Sequence, residues 1–195
     1  MKKSQTCLTL FLGSLFLICL TGCANPVKQK ENEAGNNGVK TLWEKTESGC
    51  TQKVNLKETV ENGIKTKALT YTLQEDSTAR RVGFGILKIE SNNNVVYKGS
   101  IMAGRKTEPF PQGFWTNYKI SCGQSYITMA NTIGGPDKED EYFEYIVLGG
   151  ISELQLAAIK NANLITVSLL NPDNTSRNTS FNCDYNFIIN LIKYF

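Results

Sequence analysis

The sequence predicts a β-rich α+β domain: about eight mainly antiparallel strands, sandwich- or barrel-like, with a short helix near 152–162 and a C-terminal helix near 185–194. Three observations predict it. Apolar residues recur at period two along most of the chain beyond residue 50. Runs rich in Asn, Gly and Pro punctuate that alternation. Helix start signals stand at only two places.

In chain order, Thr51–Lys57 alternates with Val54 and Leu56 on one face. Lys65–Leu73 places Leu69, Tyr71 and Leu73 opposite Thr66, Thr70 and Thr72. Val82–Glu90 is apolar on both faces, which suits a central strand, and its Gly83 and Gly85 suggest a bend or a close backbone approach. Asn92-Asn93-Asn94 is a turn, because Asn tolerates left-handed backbone angles, and Val95–Met102 returns as the hairpin partner. Trp115–Ser121 and Ser125–Ala130 form a second hairpin around Cys122-Gly123. Tyr142–Leu148 is aromatic and β-branched.

After Gly149-Gly150, Ser152 and Gln155 make a capping box, with Ile151 and Leu156 placed as a hydrophobic staple. Leu164–Leu170 reads as a strand, Asn171–Asn174 as a turn and Arg177–Cys183 as the returning strand. Asp184 caps a last helix over Tyr185–Tyr194. Residues 39–50 receive no element.

The N-terminus is organised differently. Lys2 and Lys3 precede Leu8–Leu20, a 13-residue apolar run. A bilayer-spanning helix needs about 20 apolar residues, so this run has the length of a signal-peptide core instead. Leu20-Thr21-Gly22-Cys23 follows at once. This tetrapeptide resembles the lipobox of bacterial lipoproteins: a branched apolar residue, two small residues and a cysteine. The resemblance implies that Cys23 receives a diacylglycerol, that residues 1–22 are removed, and that the new terminus is N-acylated. Each buried acyl CH2 contributes roughly 0.8 kcal/mol, so two or three chains hold a protein durably on a membrane. In Gram-negative members, Asp after the cysteine favours inner-membrane retention. Ala24 stands there instead, which implies the outer membrane if the host has one.

Residues 23–38 then form the lipidated tether. Its stretch from Ala24 to Gly38 holds one branched apolar residue and no aromatic, too little to offset the entropy of ordering it. Residues 39–195 have the size of one globular domain. No repeat at a fixed period is visible.

Composition excludes several function classes. The chain has no histidine, which removes Ser-His-Asp triads, Cys-His dyads and His-bearing zinc sites. Loss of residues 1–22 removes Lys2, Lys3 and no acid, leaving a net charge of +1. No basic stripe suggests nucleic acid as a partner. No phosphate loop or G-x-S-x-G elbow is present. No cofactor is expected beyond the covalent diacylglycerol and N-acyl lipid at Cys23, and no metal.

Cys50, Cys122 and Cys183 remain in an exported chain, where a disulfide is permissible. One bridge with one thiol left over, or buried thiols, are the readings, and position does not choose the pair. The acidic stretch Gly134–Glu141, with Asp137, Glu139, Asp140 and Glu141, lacks the Asp-x-Asp-x-Asp-Gly calcium pattern and reads as a solvated loop. Gly104–Trp115 combines two prolines with Arg105, Phe110, Phe114 and Trp115. Arg and aromatics are the types that anchor interfaces, so this loop is the candidate partner-binding site, against the plainer reading of a loop folded over one end of the core. The expected function is a membrane-anchored envelope lipoprotein. Its domain would be a non-catalytic binding or assembly module for an envelope protein, a polymer or a small ligand. The alternative is a surface-anchored hydrolase working through paired carboxylates.

Overall fold

A computed structural model describes residues 38–75, 77–92, 94–139 and 141–195. The expected signal peptide, the Cys23 lipidation site and all of the tether except Gly38 lie outside these residues. The described chain is strand-rich and broadly a β-rich α+β fold. It has eleven strands where about eight were expected, in two antiparallel sheets.

The strands are β1 (Val39–Glu47), β2 (Cys50–Glu61), β3 (Ile64–Glu75), β4 (Arg80–Ser91), β5 (Asn94–Arg105), β6 (Asn117–Cys122), β7 (Ser125–Ile127), β8 (Ala130–Glu139), β9 (Tyr142–Ile151), β10 (Ile165–Leu170) and β11 (Thr179–Cys183). Helix α1 spans Glu153–Lys160 and α2 spans Tyr185–Tyr194. The large sheet has the order β1-β2-β3-β4-β5-β9-β8, and the small one β11-β10-β6-β7. Tight turns drive the first five strands. Asn62-Gly63 and Ser48-Gly49 both take positive φ, the geometry of two-residue hairpin turns whose twist matches the strands.

Two strands escaped the sequence reading, each for a physical reason. In β1 the pairing with β2 slips between Thr41 and Trp43, leaving Leu42 as an extra residue. Leu42 and Trp43 therefore both pack on the core, and the period of two is lost. In β8, Gly134-Gly135-Pro136 and the acids look like loop. The stretch expected to be a solvated loop is instead mostly strand, because β8 is an edge that pairs with the strongly β-forming β9. An edge position tolerates proline, whose missing N–H faces away from the ladder. Asp140 lies outside the described residues.

One face of the large sheet, with the small sheet and both helices, encloses the main core. Val54, Leu69, Tyr71, Phe84, Ile101 and Val147 meet Ile120, Val167, Ile159, Phe187 and Leu191 there. The rings of Phe84 and Phe187 lie 5.5 Å apart and tie α2 to the sheet centre. The opposite face is also buried at its middle. Ala68, Leu87, Ile89 and Met102 cluster there, with Thr66, Thr70 and Ser100 alongside.

Glycines make close approaches possible on this second face. A Cβ at Gly83 would stand 2.7 Å from Met102 Cε and 2.9 Å from the Tyr71 carbonyl oxygen. Gly104 stands between Arg81 and Glu144 in the cross-strand row, with no side chain to separate them. Arg81 Nε therefore donates to Glu144 Oε1 across two strand intervals, at 2.6 Å and almost fully buried.

The helices form where expected. Gln155 N donates to Ser152 Oγ, and Ser152 N to Gln155 Oε1, closing the capping box. Asp184 caps α2 by accepting from Asn186 N at 2.8 Å.

Candidate functional site

Period-two geometry places Glu75, Arg80 and Arg105 on the core-facing phase of β3, β4 and β5. They form one row, because Glu75 pairs with Arg80 and Arg80 with Arg105. This row ends the apolar face. Beyond it the sheet is capped by the 106–116 connection and by the turn before β11.

The 106–116 connection carries the aromatic residues expected to meet a partner, and the structure folds most of them inward. Phe110 and Trp115 are buried in the core, and Phe114 is half-buried. Phe110, Phe114, Trp115 and Tyr145 pack edge to face or tilted at 4.7–6.3 Å. Trp115 Nε1 donates to the Arg177 carbonyl at 2.7 Å, and Asn171 Nδ2 to the Phe114 carbonyl at 2.9 Å. Arg105 holds the loop from its other side. It donates through Nε to the Glu108 carbonyl and through Nη2 to that of Pro109, with its Cζ 4.3 Å from the Phe110 centroid. The half-buried Phe114 ring is bracketed by Arg105 at 5.6 Å and Arg177 at 4.9 Å. Outward, the loop exposes Lys106–Pro109, Pro111–Gly113 and Thr116, with the half-buried Phe114 ring held between the two guanidiniums.

Beside this plug opens a cleft of about 390 Å³, between β2, β3, β4, β11 and the cap of α2. Gln52, Tyr71, Glu75, Arg80 and Asp184 line it. Arg80 Nη2 donates to Thr179 Oγ1 at 2.5 Å, which aims the guanidinium at the cleft wall. Tyr71 Oη donates to Gln52 Oε1 at 2.9 Å. Burial first, and then the neighbouring Cys183 and Asp184, push the Tyr71 phenol above its ordinary range, so it is a neutral donor. Glu75 accepts from Thr78 Oγ1 at 2.8 Å, and Asp184 is engaged by Asn186. With Asn182 also on the wall, one cation, two carboxylates and two amides suit a small polar group that has both an anionic oxygen and hydrogen-bond donors.

The three cysteines of the described chain are free thiols. Cys122 and Cys183 flank Ile165 in one row of the small sheet. Two strand spacings separate them by roughly 10 Å, beyond the Cα separation of about 7 Å that a disulfide bridges. Burial pushes the Cys122 thiol up to about 11 and the Cys183 thiol well up. Both are inert thiols packed in the core. Cys50 sits half-buried at the β1–β2 turn.

No group of three or more metal-ligating side chains occurs among the described residues. Lys106 binds Glu141 at 2.7 Å and so takes one acid of the expected acidic stretch into an ion pair.

Sequence reasoning named Arg105 and the aromatics but missed Arg80, Glu75, Gln52, Tyr71 and Asp184 as neighbours. A signal was available. Arg80 and Glu75 fall in phase with the apolar residues of their own strands, and a charge on a core-facing phase marks a rim or a site.

No protein-family model, no curated protein and no solved structure matches this chain. The functional reading therefore rests on its own residues.

Proposed function

We propose that the protein is a lipid-anchored lipoprotein of the bacterial envelope, held by acylated Cys23 and a tether ending at Gly38. Its domain is a non-catalytic binding module. The cleft beside Arg80 takes a polar group of an envelope polymer, protein or small ligand that offers an anionic oxygen to Arg80 and hydrogen-bond donors to Glu75 and Asp184. The observation that carries the binding reading is the convergence of Arg80, Arg105 and Arg177 on one rim. Arg80 and Arg105 are direct cross-strand partners, a like-charge pairing that Glu75 beside Arg80 and Glu108 beside Arg105 offset in part and that a ligand anion at Arg80 would offset further. The lipobox at Leu20–Cys23 supports the anchor, with the outer membrane as its place in a Gram-negative host.

The test has two parts. Intact mass of the membrane-extracted protein should show the lipid, and Cys23→Ser should abolish it. Crosslinking in cells, followed by recovery of bound material, should give a specific partner or polymer that Arg80→Gln loses. Equal recovery with Arg80→Gln refutes the cleft, and an unmodified Cys23 refutes the anchor. One observation favours a second reading, a carboxylate hydrolase: Glu75 and Asp184 line the same cleft. That reading requires turnover of an envelope glycan that Glu75→Gln abolishes without loss of folding.

A further inference from the structure

Helix α2 is apolar on two sides. Phe187, Ile188 and Leu191 face the core and are buried. Tyr185, Ile189 and Ile192 are 56%, 46% and 56% exposed. At about 100° per residue, these three fall within roughly 60° of arc, a single stripe beside the buried one. Asn186, Asn190 and Lys193 occupy the next arc. Scattered exposed apolar residues are ordinary, but a stripe at i, i+4 and i+7 on one helix is a surface.

The occupant follows from size and position. Three part-exposed side chains fall far short of the roughly 800 Å² per partner that a stable protein interface buries. A bilayer needs no such area and no shape match, because an anchor already holds the domain beside it. Between Cys23 and Val39 lie 15 residues. A flexible chain of that length spans on the order of 20 Å, and about 50 Å fully stretched. The tether enters through β1, and Lys45 on β1 lies within electrostatic reach of Asp184, the cap of α2. Lys45 is six residues along β1 from Val39, so the start of the stripe lies about 20 Å from where the anchored segment joins, a distance the tether spans. Its residues suit the headgroup boundary: a tyrosine with an apolar body and polar tip, two isoleucines, and Lys193 on the flank.

We propose that Tyr185, Ile189 and Ile192 rest on the bilayer that holds the acylated N-terminus, so that α2 orients the domain and keeps the cleft, which shares Asp184, close to the membrane surface. The proposal rests on the lipoprotein reading above.

The test uses the full lipidated protein in vesicles of phosphatidylethanolamine and phosphatidylglycerol, with or without brominated acyl chains. Tyr185→Trp and Ile189→Trp each place an indole on the stripe. Tyr126→Trp places one on β7, at the opposite edge of the small sheet from β11, which leads into α2. Brominated lipid should quench the added emission of the two stripe variants about twofold, as expected for side chains buried at the headgroup boundary, and leave the β7 variant unchanged. Circular dichroism checks that each variant folds, and the two stripe positions serve as replicates. Unquenched emission from a folded stripe variant whose Cys23 carries lipid overturns the proposal and leaves the lipoprotein reading standing. Cys23 without lipid overturns both. Unquenched emission with a doubled hydrodynamic mass also overturns the proposal and gives the stripe to a second copy of the chain.

Discussion

Gly99 and Gly149 are direct cross-strand partners on β5 and β9, and Met129 lies across them. The perturbation is Gly149→Ala. The new Cβ would stand closer than 3.0 Å to Met129 Cβ and 3.3 Å from the Ala130 carbonyl oxygen. Carbon atoms pack best about 3.5–4.0 Å apart, so one of the two segments must move by an ångström or so. Neither atom is the free end of a flexible side chain, which places the overpacking cost at the upper part of about 1–3 kcal/mol. Losing a glycine returns about 0.4–1 kcal/mol through the unfolded chain, which is less. The net loss is about 1.5–2 kcal/mol, or roughly 3–8 °C in Tm for a domain of this size.

The partner residue makes the result specific. Met129→Ala keeps the offending Cβ and should leave the penalty of Gly149→Ala intact. Met129→Gly removes that Cβ, so Gly149→Ala made in its background should be neutral or stabilising. Urea unfolding followed by far-UV circular dichroism measures all combinations. An unchanged midpoint for Gly149→Ala refutes the packing of Met129 across the glycine pair, and so does an equal penalty in the Met129→Gly and Met129→Ala backgrounds.

Three further predictions concern charge and thiols. Arg81→Met leaves Glu144 buried without its guanidinium and should cost about 3–5 kcal/mol, while Arg81→Met with Glu144→Met should recover much of that in a double-mutant cycle. A thiol reagent added to the native reduced protein should modify Cys50 first and reach Cys122 and Cys183 only after denaturation, the reverse order being incompatible with their burial. From pH 7 upward, stability should hold to about pH 8 and fall as pH rises beyond the unfolded thiol and phenol values of about 8.5 and 10, because Cys122, Cys183, Tyr71 and Tyr118 all titrate higher when folded, chiefly through burial. Urea midpoints between pH 7 and 11 check the sign, and a midpoint that rises with pH refutes it.

Much of the fold was legible because its signals are local. The Ser152 and Asp184 caps, the Asn92 turn, the alternation of β2 and β3, the two-sided apolar run of β4 and the β-branched and aromatic residues of β9 depend on residues a few positions apart. The sequence alone therefore determined the fold class, both helices and the sense of most strands. The lipobox pattern at Cys23 is equally local.

Tertiary structure decided what local patterns do not encode. β1 exists because a bulge lets Leu42 and Trp43 share one core, and β8 because an edge beside β9 accepts glycine and proline. The fate of Phe110 and Trp115 turned on Tyr145, Asn171 and Arg177, which are distant in sequence and fix the loop inward. The cleft joins β2, β3 and β4 to β11 and the cap of α2, about a hundred residues away. The cysteine question was likewise one of placement, because one intervening strand keeps Cys122 and Cys183 apart. Periodicity says which side of a strand a residue occupies; only the packing of one sheet against another says what it meets there.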